Sequence, residues 1–194
     1  MQKSKLPVVV FLALMLAAPS ASAAREGAPT YEPSAAHPYG RPNPTAPPEL
    51  AQFDFMVGRN DCSEEYRNAT GNWEPGKRTW DAHYYMNGFA IADTGRSATQ
   101  SNGNIRIFDT ATKQWVVTFF AMPTFGTGVW RGGKAGANIV LKNPQKAPSS
   151  GLDGVSRLTF SNISAAGFDW IGEWVADDGS MIYPFWKISC KRVQ

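Results

Sequence analysis

The side chains in this sequence that could carry acid–base or metal chemistry are few. Its histidines are His37 and His83, so a metal centre, which gathers several imidazoles or thiolates around one ion, is not expected. No Gly-x-Ser-x-Gly elbow, His-Glu-x-x-His helix or phosphate-cradling loop is present, and Gly126-Thr-Gly128 and Gly132-Gly133 read as hairpin glycines. No catalytic residue and no cofactor follows from motifs. Two constellations stay open as acid or base: His83, within Trp80-Asp-Ala-His-Tyr-Tyr85, and the pair Arg106 and Glu173. If those two charges face an interior, each needs a partner to offset the several kcal/mol of its desolvation. A guanidinium inside a barrel would also make a fork for a ligand carboxylate.

Aromatic residues are the second resource. The chain has seven Trp, six Tyr and eleven Phe, and all but Phe11, Tyr31 and Tyr39 come after residue 49. Period-two alternation groups Trp115, Val117, Phe119 and Ala121 on one strand face, Phe168, Trp170, Gly172 and Trp174 on another, and Ile182, Trp186 and Ile188 on a third. Pointing these sets inward turns Glu173 outward and, by its flanking Ile105 and Ile107, Arg106 as well. Arg106 also shares a face with Phe108, and Glu173 with Ile171 and Val175, so the opposite orientation stays open. The candidate ligand-binding residues are Trp80, Arg106, Trp115, Phe119, Trp130, Trp170, Glu173, Trp174 and Trp186. The competing reading is that these rings fill a closed core.

The elements that must position them read as strands. Segments rich in Val, Ile, Phe, Tyr, Trp and Thr run at 56–66, 73–86, 89–94, 104–109, 114–122, 128–131, 138–142, 155–161, 168–176 and 181–191. Asn87-Gly88 and Asp178-Gly179 suit turns with positive φ, and the loop from Asp109 to Lys113 suits a type I turn. About ten strands with short reversals leave a sandwich or an antiparallel up-and-down barrel. Cys62 and Cys190 are the two cysteines. Joined, they set the first strand beside the last, which favours the all-β barrel, and they close a loop whose entropy is on the order of 5 kcal/mol. Ahead of the first strand, the segment from Pro48 to Phe53 makes a short helical plug with Leu50 and Phe53 facing the barrel end.

Leu50-x-x-Phe-Asp-Phe-Met-Val-Gly58, then Asn104-Ile-Arg-Ile-Phe-Asp109 followed by Trp115, and finally Phe168-x-Trp-x-x-Glu-Trp-x-x-Asp-Asp-Gly179 resemble a bacterial family of lipocalin-like (calycin) barrels of unknown function. The resemblance covers residues 50 to 192 and implies a small barrel with an internal cavity and no assigned chemistry. Such barrels carry Gly-x-Trp at the start of strand one. Here Gly58-Arg59-Asn60 puts an amide where the indole would seal the floor. Haem-binding barrels of related, nitrobindin-like shape take an axial His from a late strand, and no His follows residue 83, so haem is not expected.

Residues 1–23 read as a secretory signal: Lys3 and Lys5, an apolar run from Val8 to Ala18, and Ala21-Ser-Ala23 as the cleavage pattern. That run is too short for the ~20 residues of a bilayer-spanning helix, so no membrane anchor is expected. Residues 24–49, dense in proline, read as a solvated tether, and 50–194 as the barrel domain. The two lysines of the leader belong to a total of 19 basic against 16 acidic residues, so the exported part is close to neutral. Nucleic-acid binding, which needs clustered Lys and Arg, is not expected. Asn68-Ala-Thr70 and Asn162-Ile-Ser164 match the glycosylation acceptor, a pattern with meaning only in a eukaryotic secretory pathway. The leading expectation is a periplasmic or secreted barrel that binds a small apolar or aromatic ligand in its lumen. A catalytic calycin and an envelope interaction module are the alternatives.

Overall fold

The computed structural model of the chain describes residues 30–147 and 150–193. The leader expected at 1–23 lies outside the described residues. Ten strands follow one another: β1 (Gly58–Arg67), β2 (Trp73–Tyr85), β3 (Ala90–Arg96), β4 (Ser101–Asp109), β5 (Gln114–Met122), β6 (Gly126–Ala135), β7 (Asn138–Pro144), β8 (Gly154–Ser164), β9 (Gly167–Ala176) and β10 (Ile182–Arg192). Each pairs antiparallel with the next, and β10 closes on β1 to seal an up-and-down barrel. The strands alternate buried and less buried residues, most regularly in β1 and β9. Closure leaves no sheet edge to template another chain.

The disulfide lies in the closing seam. Cys62 and Cys190 are directly opposed in the β1–β10 register, bonded, with Cα atoms 4.1 Å apart. Both side chains are buried in the core cluster. An S–S bond there ties the first strand to the last across a sequence separation of 128 residues. It also indicates an oxidising, extracytoplasmic environment. No helix among the described residues is long and apolar enough to cross a membrane.

One end of the barrel is filled. A 3-10 helix, Pro48–Met56, buries Leu50, Phe53 and Met56 in it. The Phe53 ring meets Trp115 and Phe160 edge-on, at centroid distances of 4.7 and 5.5 Å. Asn60, two residues after the glycine that opens β1, is fully buried. Its Nδ2 donates to the carbonyls of Met56 (3.0 Å) and Trp80 (3.1 Å), so the amide fastens the plug to the barrel wall. Arg192 adds to the fastening by donating from Nη1 to the carbonyl of Val57 and from Nη2 to that of Phe55, both at 2.6 Å.

One local reading is corrected. Gly126, Gly128, Gly132 and Gly133 are not hairpin residues but lie within β6, which is longer than expected. At Gly132 (φ +154°) a Cβ would lie 2.1 Å from the Val140 carbonyl, so the close approach of β7 demands glycine. The proline-rich stretch after residue 29 also holds to the barrel. Tyr84 N–H donates to the Tyr39 carbonyl, Asn43 N–H to that of Gly88, and Tyr31 N–H to the Asn87 side chain. Proline density removes strand pairing from 30–47; some of the segment's backbone groups pair with the β2–β3 hairpin, while others, such as those of Ser34 with His37 and Arg41 with Tyr31, pair within the segment.

Candidate functional site

Towards the other end the lumen is not filled. A part-open cavity of about 250 Å³ lies there. It is bounded on one side by Phe119, Trp130, Leu141, Leu158, Phe160 and Trp170, and on the other by Arg78, Asn102, Asn104 and Arg106. Trp80, Trp186 and Ile188 lie between them, and Val117, Gln145, Ser156 and Phe185 are also in contact. The wall from β5 to β9 is thus mainly apolar and the wall from β2 to β4 mainly polar. That split is what an orienting site for an amphiphilic molecule requires.

Glycines create the room. A Cβ on Gly128 would lie 2.5 Å from the Trp130 ring, one on Gly154 would lie 2.5 Å from Trp174, and one on Gly172 would lie 2.8 Å from both Trp170 and Phe185. Each strand therefore gives up a side chain where a neighbouring ring must lie flat against the wall. Phe185 enters by a bulge: the β9–β10 register shifts between Pro184 and Trp186 and leaves Phe185 as the extra residue.

The polar wall is built from two ion pairs. Arg106, 2% exposed, donates from Nη1 to Asp93, 2% exposed. Asp93 Oδ1 also accepts from Trp80 Nε1 and Asn104 Nδ2, both at 2.8 Å. Arg78 donates to Glu64 Oε2 at 3.0 Å and to Asn102 Oδ1, and Trp186 Nε1 donates to the same Glu64 oxygen at 2.9 Å. The Arg78 guanidinium lies 4.7 Å from the Trp186 ring centre, and that of Arg106 lies 5.2 Å from Phe53. Arg106 therefore rests on the plug and forms part of the cavity floor. Burial is the strongest influence on these groups: it pushes the Asp93 carboxyl up and both guanidiniums down, while the ion-pair partners pull each back. Neither Asp93 nor Glu64 lines the cavity, whereas Arg78 and Arg106 do. Neither Arg78 Nε nor Arg106 Nε has an acceptor among the described residues.

Six of the nine expected site residues line this cavity: Trp80, Arg106, Phe119, Trp130, Trp170 and Trp186. The other three are elsewhere. Trp115 is fully buried in the filled end, its Nε1 donating to Gln52 at 3.1 Å. Trp174 is buried but donates to the Gln145 carbonyl (2.8 Å) and does not reach the lining. Glu173 faces outward and accepts two hydrogen bonds from Arg157, Nη2 at 2.8 Å and Nε at 3.0 Å.

Arg106 reverses the expected orientation. It points inward, its partner is Asp93 rather than Glu173, and Ile107 is 42% exposed. The rule that the apolar set faces inward fails on β4 because the wall there is polar: Asn102, Asn104 and Arg106 share the inner face with Phe108. Arg78, Asn102, Asn104 and Phe185 were missed as site residues. Arg78 was legible, since it shares strand parity with Trp80; the asparagines and the bulged Phe185 carried no such signal. His83 stands on the outward parity of β2, beside Tyr85. The two acid–base constellations of the sequence therefore do not converge in the cavity.

No family model matches this chain, and no curated protein matches it. Among solved structures, it is similar to Rv2717c from M. tuberculosis, with a TM-score of 0.50 and 12% identity over 77% of this chain and 99% of that one. At that identity the likeness concerns the fold alone.

Proposed function

We propose that this chain is an exported, lipocalin-like binding barrel whose mouth-side lumen takes up one small apolar or aromatic molecule. The observation that carries the reading is the cavity itself, walled by four indoles and open towards one end. Export is supported by the leader pattern at 1–23 and by the disulfide. The volume sets the ligand size. An engineered apolar cavity of about 150 Å³ accepts benzene, so the 250 Å³ here suits one or two fused rings or a short aliphatic chain.

Tryptophan emission provides the test, because Trp80, Trp130, Trp170 and Trp186 all border the space. Titration of the oxidised protein with short fatty acids, aromatic acids, ketones and quinones is expected to give saturable changes for some members. Leu158→Trp, which puts bulk into the cavity, is expected to abolish them while the protein stays folded. Flat titrations across the panel, or responses that survive Leu158→Trp, would remove the lumen as a binding site.

A further inference from the structure

We infer that the lumen selects uncharged ring compounds bearing a hydrogen-bond acceptor, such as aryl ketones, quinones or lactones, over carboxylates of the same shape. This rests on the binding role proposed above and specifies its ligand.

Two buried arginines facing a cavity would ordinarily suggest an anion site, but here both positive charges are already neutralised. Arg106 is held by Asp93, and Arg78 by Glu64. A ligand carboxylate would be a third anion among two cations in a cavity whose far wall is aromatic and aliphatic. Its desolvation would be offset by no free charge.

What the wall does offer is donors. The Asp93 oxygens are occupied by Trp80, Asn104 and Arg106, and Glu64 Oε2 by Arg78 and Trp186. Arg106 donates only through Nη1, and its Nη2, unlike its fully enclosed Nε, carries no hydrogen bond among the described residues. A buried donor without a partner is unfavourable and gains from any acceptor that reaches it. A neutral carbonyl can serve as that acceptor without adding charge. Its apolar body would lie against Phe119, Trp130, Leu158 and Trp170, opposite the guanidiniums.

Three probes of matched shape separate the cases by equilibrium dialysis against the oxidised protein: acetylnaphthalene, isopropenylnaphthalene and naphthoate. Acetylnaphthalene is expected to bind about tenfold or more tightly than either of the others, the increment of a hydrogen bond to a charged donor. Asp93→Asn, which keeps the side-chain shape but releases the Arg106 charge, is expected to raise the ratio of naphthoate to acetylnaphthalene affinity about tenfold. Glu64→Gln makes the same test at Arg78 should the first variant fail to fold. Equal binding of the ketone and the hydrocarbon overturns the acceptor requirement, and naphthoate as the preferred wild-type probe overturns charge neutrality; both leave the binding role intact. Failure of all three probes overturns this inference; the binding role falls with it only when the wider titration panel is also flat.

Discussion

The two ends of the barrel are made by the same strands with the same alternation, yet one is solid and the other hollow. At the filled end Phe53, Trp115, Phe160 and Phe168 interlock, with Phe55 and Trp80 against them. At the mouth side, glycines stand where the inner wall would otherwise crowd, and paired charges replace apolar bulk. Barrel closure therefore does not decide whether a lumen exists; the size and polarity of each inward residue do. Stability should be concentrated below and tolerance above. The sharpest attempt to break that contrast is Phe53→Ala, expected to cost about 3–5 kcal/mol in denaturant unfolding because the ring is fully enclosed. A loss under about 1 kcal/mol would mean that the plug does not anchor the fold.

The seam should come next. Replacing Cys62 and Cys190 together by Ala is expected to lower stability by about 2–5 kcal/mol, read as a fall in denaturation midpoint. The wild type in reductant should fall by a similar amount and the double variant should then be unaffected. On the hollow side the contrast predicts less. Phe119, which touches Trp130 at 5.7 Å but also borders open space, has fewer contacts to lose. Phe119→Ala is expected to cost about 1–2 kcal/mol while enlarging the cavity, so bulkier ring probes should bind better than to the wild type. A cost equal to that of Phe53→Ala would show that the cavity wall is as tightly packed as the plug.

The same contrast explains what could be read from the sequence. The ten strands, the closing disulfide and the plug were legible because each is dictated locally: by alternation, by the parity of two cysteines, or by a short apolar turn before the first strand. Of the residues that border the cavity, alternation groups Phe119, Trp170 and Trp186 on the faces read as inner. It failed where the lumen stops being apolar. On β4, Ile105 and Ile107 look like the inner face, but Asn102, Asn104 and Arg106 occupy it, since their partners Asp93 and Arg78 come from β3 and β2 and are distant in sequence. Phe185 reaches the cavity only through a bulge, and strict period-two counting cannot place a bulged residue. Gly132 read as a turn because the reason for it, the Val140 carbonyl, lies on the next strand.

The smallest expected effect is a slope with pH, and it compares an inner acid with an outer one. Asp93 is enclosed and its carboxyl is pushed above the ordinary carboxylate range by burial, against the pull of Arg106, Asn104, Trp80 and Arg78. Between that ordinary range, near 3.9 for the unfolded chain, and the raised folded value, the folded state keeps a proton that the unfolded chain has released. The folded state then binds more protons, so this group's contribution to stability is greatest below the window and declines as pH rises through it. Asp93→Asn is expected to remove that decline from a series of denaturation midpoints. Glu173→Gln, at an outward-facing, partly buried pair with Arg157, is expected to leave the decline in place and to change stability by about 1 kcal/mol. A slope of the opposite sign that vanished with Asp93→Asn would mean that the four donors and cations around the carboxylate outweigh its burial. The inner ion pair would then stabilise the hollow half of the barrel, and the division into a solid anchor and a permissive lumen would no longer hold.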